Sequence, residues 1–328
     1  MNRKHSTLVL LLLIVVAMLA TACGKNNSAS PSDSVSPSSS ESASPVASEP
    51  VASTEPAATT KKITDGLGRD VEIPVHAQRI VVLGNYGEVT NLGVKPVGTI
   101  GYYLDKYGEA LTAGVENLGQ DEADLEAMLA LDPDLIIIPS YFTPELLEAY
   151  SKIAPTVATQ WGLSPLEHFA ILADWLDRKA EEQVWLDNYA KKVAEVKEQL
   201  KPFNVAGQKA VVIQFWSNNI YQHATNVFSP LFNDIGFVPT EAEAAVTATA
   251  AISQEAVVDY VGDADRLFIL VDGQADIDVY NGLKDTVWKN IPAIKSGKVY
   301  LVDSPRWNDF STTAMEWILD DLTKVIVD

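Results

Sequence analysis

The sequence predicts an α/β protein of two lobes with mostly parallel sheets. Along residues 61–328, short apolar runs typical of buried strands alternate with segments of helical periodicity, which is the pattern of α/β folds. That part of the chain has the length of roughly two domains. A motif that recurs in the second half of the chain also indicates two related units.

Two series of apolar runs define the predicted strands. The first series lies at 79–83, 94–101 and 135–138, and the second at 209–215, 266–271 and 298–302. The runs are short, apolar and bounded by Gly, Pro or Asp, as expected for strands buried on both faces of a parallel sheet.

A long helix is predicted between the two series. Apolar residues recur at helical spacing along 166–200, and Pro202 and Gly207 end the pattern. We expect one helix over about 180–201 that joins the two lobes. The alternative is an ordinary surface helix that belongs to one lobe.

The recurring motif combines a helix start with a strand start. Asp124 stands two residues before Glu126, and the turn at 132–134 leads into an apolar strand. Ser253 stands two residues before Glu255, and the turn at 263–265 leads into another. Because each Glu falls in the predicted first turn of a helix, it also complements the helix dipole.

The N-terminus has the features of an export signal. Arg3 and Lys4 precede an uncharged apolar run at 8–19, and small residues precede Cys23. We expect 1–22 to be removed and Cys23 to be acylated, which anchors the protein in the membrane. The alternative is secretion with a free thiol. Residues 23–60 are rich in Ser, Pro and Ala and are predicted to form a flexible linker.

Composition excludes several classes of partner and site. The formal net charge of −20 argues against nucleic acid or anionic lipid headgroups as partners. The chain contains none of the common hydrolase, phosphate-binding, dinucleotide-binding or zinc-protease motifs. Only three histidines follow the signal segment, and none is within helical reach of another. We therefore expect no enzymatic activity, no cofactor and no metal bound directly by the protein.

Aromatic residues follow the predicted strands. In open α/β sheets, ligands bind beyond the carboxyl ends of the strands, so these residues are expected to line one cleft between the lobes. Core packing is the alternative role for any one of them. The predicted ligand-binding residues are Tyr102, Tyr103, Tyr141, Trp216, Tyr221, Arg306 and Trp307.

Several segments match one known family in order, at 64–74, 78–83, 92–98, 125–136, 153–157, 288–295 and 299–300. On these segments the chain resembles the ferric-siderophore substrate-binding lipoproteins of ABC transporters, the class with a helical backbone between lobes. The resemblance covers nearly all of 63–328. The stretch from Leu83 to Leu92 is about one residue shorter than in that family.

The resemblance implies two Rossmann-like lobes at 61–175 and 205–328, a single rigid connecting helix within 176–204, and a ligand clamped between the lobes. It also implies that Glu126 and Glu255 dock onto the permease subunits of the transporter. The expected protein is a monomer, lipid-anchored on the extracytoplasmic face of the cell membrane, that captures a ferric siderophore.

The charge of the predicted cleft loops favours a ferric hydroxamate. The loops at 101–107, 140–144, 215–223 and 304–309 offer only Lys106, His223 and Arg306 as cations, against Asp105 and Asp309. A trianionic ferric catecholate would need several unpaired cations. Ferric catecholate, ferric citrate and haem remain alternative ligands. A tethered cell-wall hydrolase is the alternative from a different class.

Overall fold

The computed structural model describes residues 59–327, apart from the side chain of Val287. Residues Pro56–Asp328 form one compact unit. The predicted signal segment, Cys23 and nearly all of the predicted linker lie outside the described residues. None of the described helices is long and apolar enough to cross a membrane.

The first lobe contains an antiparallel hairpin and a five-stranded sheet. Its strands are β1 (Thr60–Thr64), β2 (Asp70–Pro74), β3 (Ile80–Val82), β4 (Gly98–Thr99), β5 (Glu116–Asn117), β6 (Leu135–Pro139) and β7 (Thr156–Thr159). Its helices are α1 (Tyr86–Asn91), α2 (Gly101–Tyr107), α3 (Glu109–Thr112), α4 (Leu125–Ala130), α5 (Pro144–Ser151) and α6 (Pro165–Trp175). The five-stranded sheet has the order β5-β4-β3-β6-β7, and all its pairings are parallel.

The predicted strand at 94–101 is much shorter in the structure. Only Gly98–Thr99 pair as β4, between β3 and β5. Pro96 has no N–H to donate to a neighbouring strand, which accounts for the late start of the strand. Beyond Thr99 the chain turns directly into α2, with Ile100 as the residue before the helix.

The connecting helix is present as predicted. α7 (Lys179–Leu200) has 22 residues and would span about 33 Å. It lies between the two sheets in the chain, and it packs against α6 of the first lobe. The predicted limits of 180–201 differ from the observed ones by one residue at each end.

The second lobe is built on a six-stranded sheet. Its strands are β8 (Lys209–Trp216), β9 (Asn219–Gln222), β10 (Val238–Pro239), β11 (Ala250–Ile252), β12 (Arg266–Val271) and β13 (Val299–Asp303). Its helices are α8 (Glu241–Ala244), α9 (Ala256–Val261), α10 (Gln274–Leu283), α11 (Pro292–Lys295), α12 (Ser304–Trp307) and α13 (Thr312–Val327). β8, β10, β12 and β13 pair in parallel, and β9 and β11 extend the sheet antiparallel.

The recurring sequence motif corresponds to the same structural device in both lobes. The carboxylate of Asp134 accepts a hydrogen bond from the backbone N–H of Arg79 at 2.9 Å, just before β3. The carboxylate of Asp265 accepts from the backbone N–H of Lys209 at 2.8 Å, at the start of β8. Each Asp therefore joins the entry of its own strand to the entry of the adjacent parallel strand, as an internal duplication predicts.

One of the buried clusters extends through both lobes. Ile80 and Val82 on one face of β3 belong to the same buried cluster as Val212 and Phe268 of the second sheet. Val81, on the opposite face of β3, belongs to a separate cluster confined to the first lobe. The shared cluster includes side chains of α7 and α13, and α13 packs against both α1 and α7. The lobes are therefore joined by packed side chains as well as by the connecting helix.

Candidate functional site

A cavity lies where strands of the first lobe end. It is a cavity of about 320 Å³, bounded by Gly84 after β3, Pro139 at the end of β6 and Thr159 at the end of β7. The segment 308–311 of the second lobe, between α12 and α13, forms the opposite wall. A cavity between the lobes at the carboxyl ends of parallel strands is the expected place for a ligand in an α/β fold.

Aromatic side chains form much of the cavity wall. Tyr102 and Tyr103 of α2 lie with ring centroids 5.2 Å apart, and Tyr141 and Trp161 with centroids 5.1 Å apart. Tyr102, Tyr141 and Trp161 are 44, 60 and 67% exposed. Large aromatic surfaces left open to solvent beside a cavity can cover the apolar part of a ligand. The structure thus brings Tyr102, Tyr103 and Tyr141 together at one cavity, and their role in ligand binding remains a prediction.

Trp161 was not identified from the sequence. It follows β7, which was not among the predicted strands, and its backbone N–H donates to Ser140 Oγ at 2.9 Å. β7 has four residues, all buried, and two of them are threonines. The signal that could have identified the site is the Thr-Val-Ala-Thr run at 156–159 followed by an aromatic residue, the arrangement seen after the other strands.

A buried glutamate is among the residues that line the cavity. Glu88 of α1 has no exposed surface, and its Oε1 accepts from the backbone N–H of Thr312 at 3.2 Å. Burial raises the pKa of Glu88 to about 8, and the carboxylate of Asp309 contributes in the same direction. The side chain is therefore mostly protonated at neutral pH. Its Oε2 has no hydrogen-bond partner among the described residues.

An ion pair joins the lobes beside Glu88. Lys106 Nζ lies 2.8 Å from Asp309 Oδ1, and the two side chains are 5 and 3% exposed. Lys106 also donates to the hydroxyl of Tyr102, and the hydroxyls of Tyr107 and Ser311 donate to Asp309. Burial disfavours the charged form of Lys106, but Asp309 and Tyr102 outweigh it and raise the pKa of the ammonium group.

His168 adds no positive charge to the cavity at neutral pH. Its Nε2 lies 2.7 Å from the carbonyl oxygen of Gln160, which can only accept, so Nε2 carries the proton. Burial lowers the pKa of His168. No residue lining the cavity within the described part of the chain is Lys or Arg.

Arg306 and Trp307 do not line the cavity, contrary to the sequence prediction. Asp303 caps α12 by accepting from the backbone N–H of Arg306 at 2.9 Å, and this turn directs Trp307 inward. Trp307 is 1% exposed, and its ring stacks on Phe268 with centroids 5.6 Å apart. The Arg306 guanidinium lies 3.2 Å from Asp321, away from the cavity lining.

Trp216 and Tyr221 lie at the end of β8 and on β9, outside the cavity lining. Their rings are 5.6 Å apart, and Trp216 is 58% exposed. They are on the second lobe, and β8 ends at Trp216. His223, also considered as a cleft cation, is 1% exposed, and burial lowers its pKa to about 4.

The two glutamates predicted to dock onto a permease are both exposed. Glu126 lies in the first turn of α4, whose cap Asp124 accepts from Ala127 N at 2.7 Å. Glu255 immediately precedes α9, and Ser253 Oγ accepts from Ala256 N at 3.2 Å. Neither glutamate lines the cavity. The docking role remains a prediction.

The chain matches the periplasmic binding protein family over residues 84–305. It belongs to that family. It is 32% identical over 250 residues to the iron(3+)-hydroxamate-binding protein FhuD of Bacillus subtilis (strain 168), which covers 71% of this chain and 76% of that protein.

Two solved structures have the same fold. One is a FhuD-fold periplasmic binding protein component of a Fep/Fec-like ferrichrome ABC transporter from B. subtilis, with a TM-score of 0.69 and 27% identity. It covers 81% of this chain and 100% of that one. Staphylococcus aureus SirA, complexed with staphyloferrin B, has a TM-score of 0.70 and 23% identity, over 82% of this chain and 99% of its own. These similarities confirm the predicted fold class and the predicted family.

Proposed function

We propose that this protein is the extracytoplasmic solute-binding component of an ABC importer, and that it captures a ferric siderophore of the hydroxamate type. The observation that carries the proposal is a cavity between two lobes, rich in exposed aromatic surface and without a lining Lys or Arg in the described part of the chain. The relative at 32% identity binds an iron(3+) hydroxamate.

The charge of the cavity favours a hydroxamate over a catecholate. A ferric trihydroxamate is neutral or cationic, and its surface is mostly methylene and amide. A ferric tris-catecholate carries three negative charges, which would be desolvated with no unpaired cation nearby. Lys106, the nearby cation, is already paired with Asp309, and the side chain of Arg306 is paired with Asp321.

The ligand would be held mainly by aromatic contacts and hydrogen bonds. Tyr102, Tyr103, Tyr141 and Trp161 supply apolar area, and the tyrosine hydroxyls can donate to ligand oxygens. The iron is cargo held by the siderophore, so the protein itself needs no metal ligand.

Delivery requires the anchor and the docking surfaces. Acylation at Cys23 would hold the protein beside the permease, with the Ser- and Pro-rich linker as a tether. Glu126 and Glu255, one on each lobe, would contact the permease subunits, and their exposure at helix starts supports that role. The proposed protein is a monomer that acts at the cell membrane.

Fluorescence titration tests the ligand class. Trp161 lies in the cavity wall, so a bound ferric hydroxamate should quench its emission. Trp161→Phe should lose most of that quenching, whereas Trp317→Phe should keep it because Trp317 packs beside Tyr107 outside the cavity lining. Quenching by a ferric catecholate, ferric citrate or haem, with none by a panel of hydroxamates, would show that the ligand class is wrong.

A further inference from the structure

The Lys106–Asp309 ion pair lies at the cavity but is not part of its aromatic wall. The two residues are 203 apart in the chain and belong to different lobes, and both side chains are nearly fully buried. Asp309 lines the cavity, whereas Lys106 does not. The carboxylate of this pair therefore borders the ligand space, and the ammonium group does not.

Hydrogen bonds among five side chains hold the ion pair in place. Lys106 donates to Asp309 Oδ1 at 2.8 Å, and the hydroxyls of Tyr107 and Ser311 donate to Asp309 Oδ2. The Tyr107 hydroxyl also lies 3.1 Å from Ser311 Oγ. The remaining partner of Lys106 is the hydroxyl of Tyr102, whose ring lines the cavity. The ammonium group thus lies behind the cavity wall and is already neutralised.

A ligand anion could use Lys106 only by competing with Asp309. Opposite charges in contact and removed from water interact far more strongly than charges separated by solvent. An incoming carboxylate or catecholate would also meet the negative charge of Asp309 itself. Glu88 is a buried carboxyl group, so it offers no cation to an anionic ligand.

We infer that Asp309 is a specificity-determining residue: by holding Lys106 in a buried pair, it makes the cavity admit neutral and cationic ferric chelates and reject anionic ones. This inference rests on the proposed function. Asp309 contributes a negative charge at the edge of the cavity, and it neutralises the positive charge of Lys106. Loss of the Asp309 charge would leave a lysine one hydroxyl group away from the ligand.

The test measures the dissociation constants of three ferric complexes for the parent protein and Asp309→Asn. The probes are cationic ferrioxamine B, neutral ferrichrome and trianionic ferric enterobactin. In the parent we expect the trianion to bind at least a hundredfold more weakly than the tighter hydroxamate. In Asp309→Asn, binding of the trianion should improve at least tenfold and binding of ferrioxamine B should weaken. Binding of ferrichrome should change least.

Two further variants separate charge from folding. Asp309→Asn combined with Lys106→Gln should lose the gain for the trianion, because the unmasked cation is gone. Lys106→Gln alone keeps Asp309 and should increase the preference for ferrioxamine B over ferrichrome. Glu109→Gln is the charge-matched control, since Glu109 is exposed at the start of α3 outside the cavity lining, and it should leave all three constants unchanged.

The possible failures are distinguishable. If the parent binds none of the ferric chelates, the proposed function is wrong. If the parent binds hydroxamates, and both Asp309→Asn and Lys106→Gln are folded by circular dichroism but keep the parent's charge preference, the inference about Asp309 is wrong and the receptor role stands. If the parent binds the trianion as tightly as the hydroxamates, the masking of Lys106 is refuted.

Discussion

A methyl group added at Gly87 should push the two lobes apart at the hydrogen-bond network around Asp309. A Cβ at this position in α1 would lie 2.6 Å from the Tyr107 hydroxyl and 2.7 Å from Ser311 Oγ. Both distances are shorter than a carbon–oxygen contact allows, and both oxygens belong to the network that holds Asp309. Because neither group can move without breaking a buried hydrogen bond, Gly87→Ala should destabilise the protein by about 1–3 kcal/mol, the usual cost of overpacking.

Gly282→Ala is the matched control. Gly282 lies in α10, is exposed, and has no heavy atom within 4 Å of the position that a Cβ would take. The same substitution should therefore stabilise the protein by about 0.5–1 kcal/mol, because alanine loses less backbone entropy in a helix. Opposite signs for two Gly→Ala changes in helices would isolate the contact at the lobe junction from helix propensity.

Urea denaturation, followed by circular dichroism, measures both changes as shifts of the midpoint. Gly87→Ala should also weaken binding of a ferric hydroxamate, because the network beside the cavity is displaced. The reasoning is refuted if Gly87→Ala is as stable as the parent, or if both variants shift the midpoint in the same direction and by the same amount.

Two other predictions concern the docking surfaces and the buried carboxyl group. Replacement of both Glu126 and Glu255 by Lys should leave ligand affinity in vitro near that of the parent and reduce uptake by cells more than double Ala replacement does, since like charges repel across an interface; normal uptake at matched protein level would contradict docking. Because burial raises the pKa of Glu88 to about 8, the folded state keeps a proton that the unfolded chain releases, and stability should fall as pH rises from the ordinary glutamate pKa to about 8. Glu88→Gln keeps an acceptor for Thr312 N and should reduce the fall in urea midpoint between acidic and mildly alkaline pH; an unchanged fall would contradict the assigned protonation.

The strands could be predicted because their signal is local. The run at 266–271 is buried at every position and became β12 with the predicted limits. The helix at 179–200 could be predicted equally well, since the helical spacing of its apolar residues repeats over many turns. β7 was missed because it has only four residues, and its terminal threonines leave an apolar run of only two.

The positions of the site residues could be predicted only where the order of the strands in the sheet determines them. Tyr102, Tyr103 and Tyr141 meet because they follow strands whose carboxyl ends lie at one edge of a parallel sheet. Trp307 follows a strand in the same way, yet the cap formed by Asp303 turns it into the core. Position after a strand does not specify which way a short helical turn directs a side chain.

The amino-acid sequence by itself determined the alternation of strands and helices and the duplicated helix-to-strand motif, because each depends on residues close together in the chain. It also determined the family, because the matching segments are compared in their order along the chain. Only the tertiary structure decided the charge of the cleft. Counted along the chain, Lys106 is a cation available to a ligand; in the folded protein Asp309, 203 residues away, neutralises it. Electrostatic partners are set by distance in space, and the sequence does not specify which distant residues the fold brings into contact.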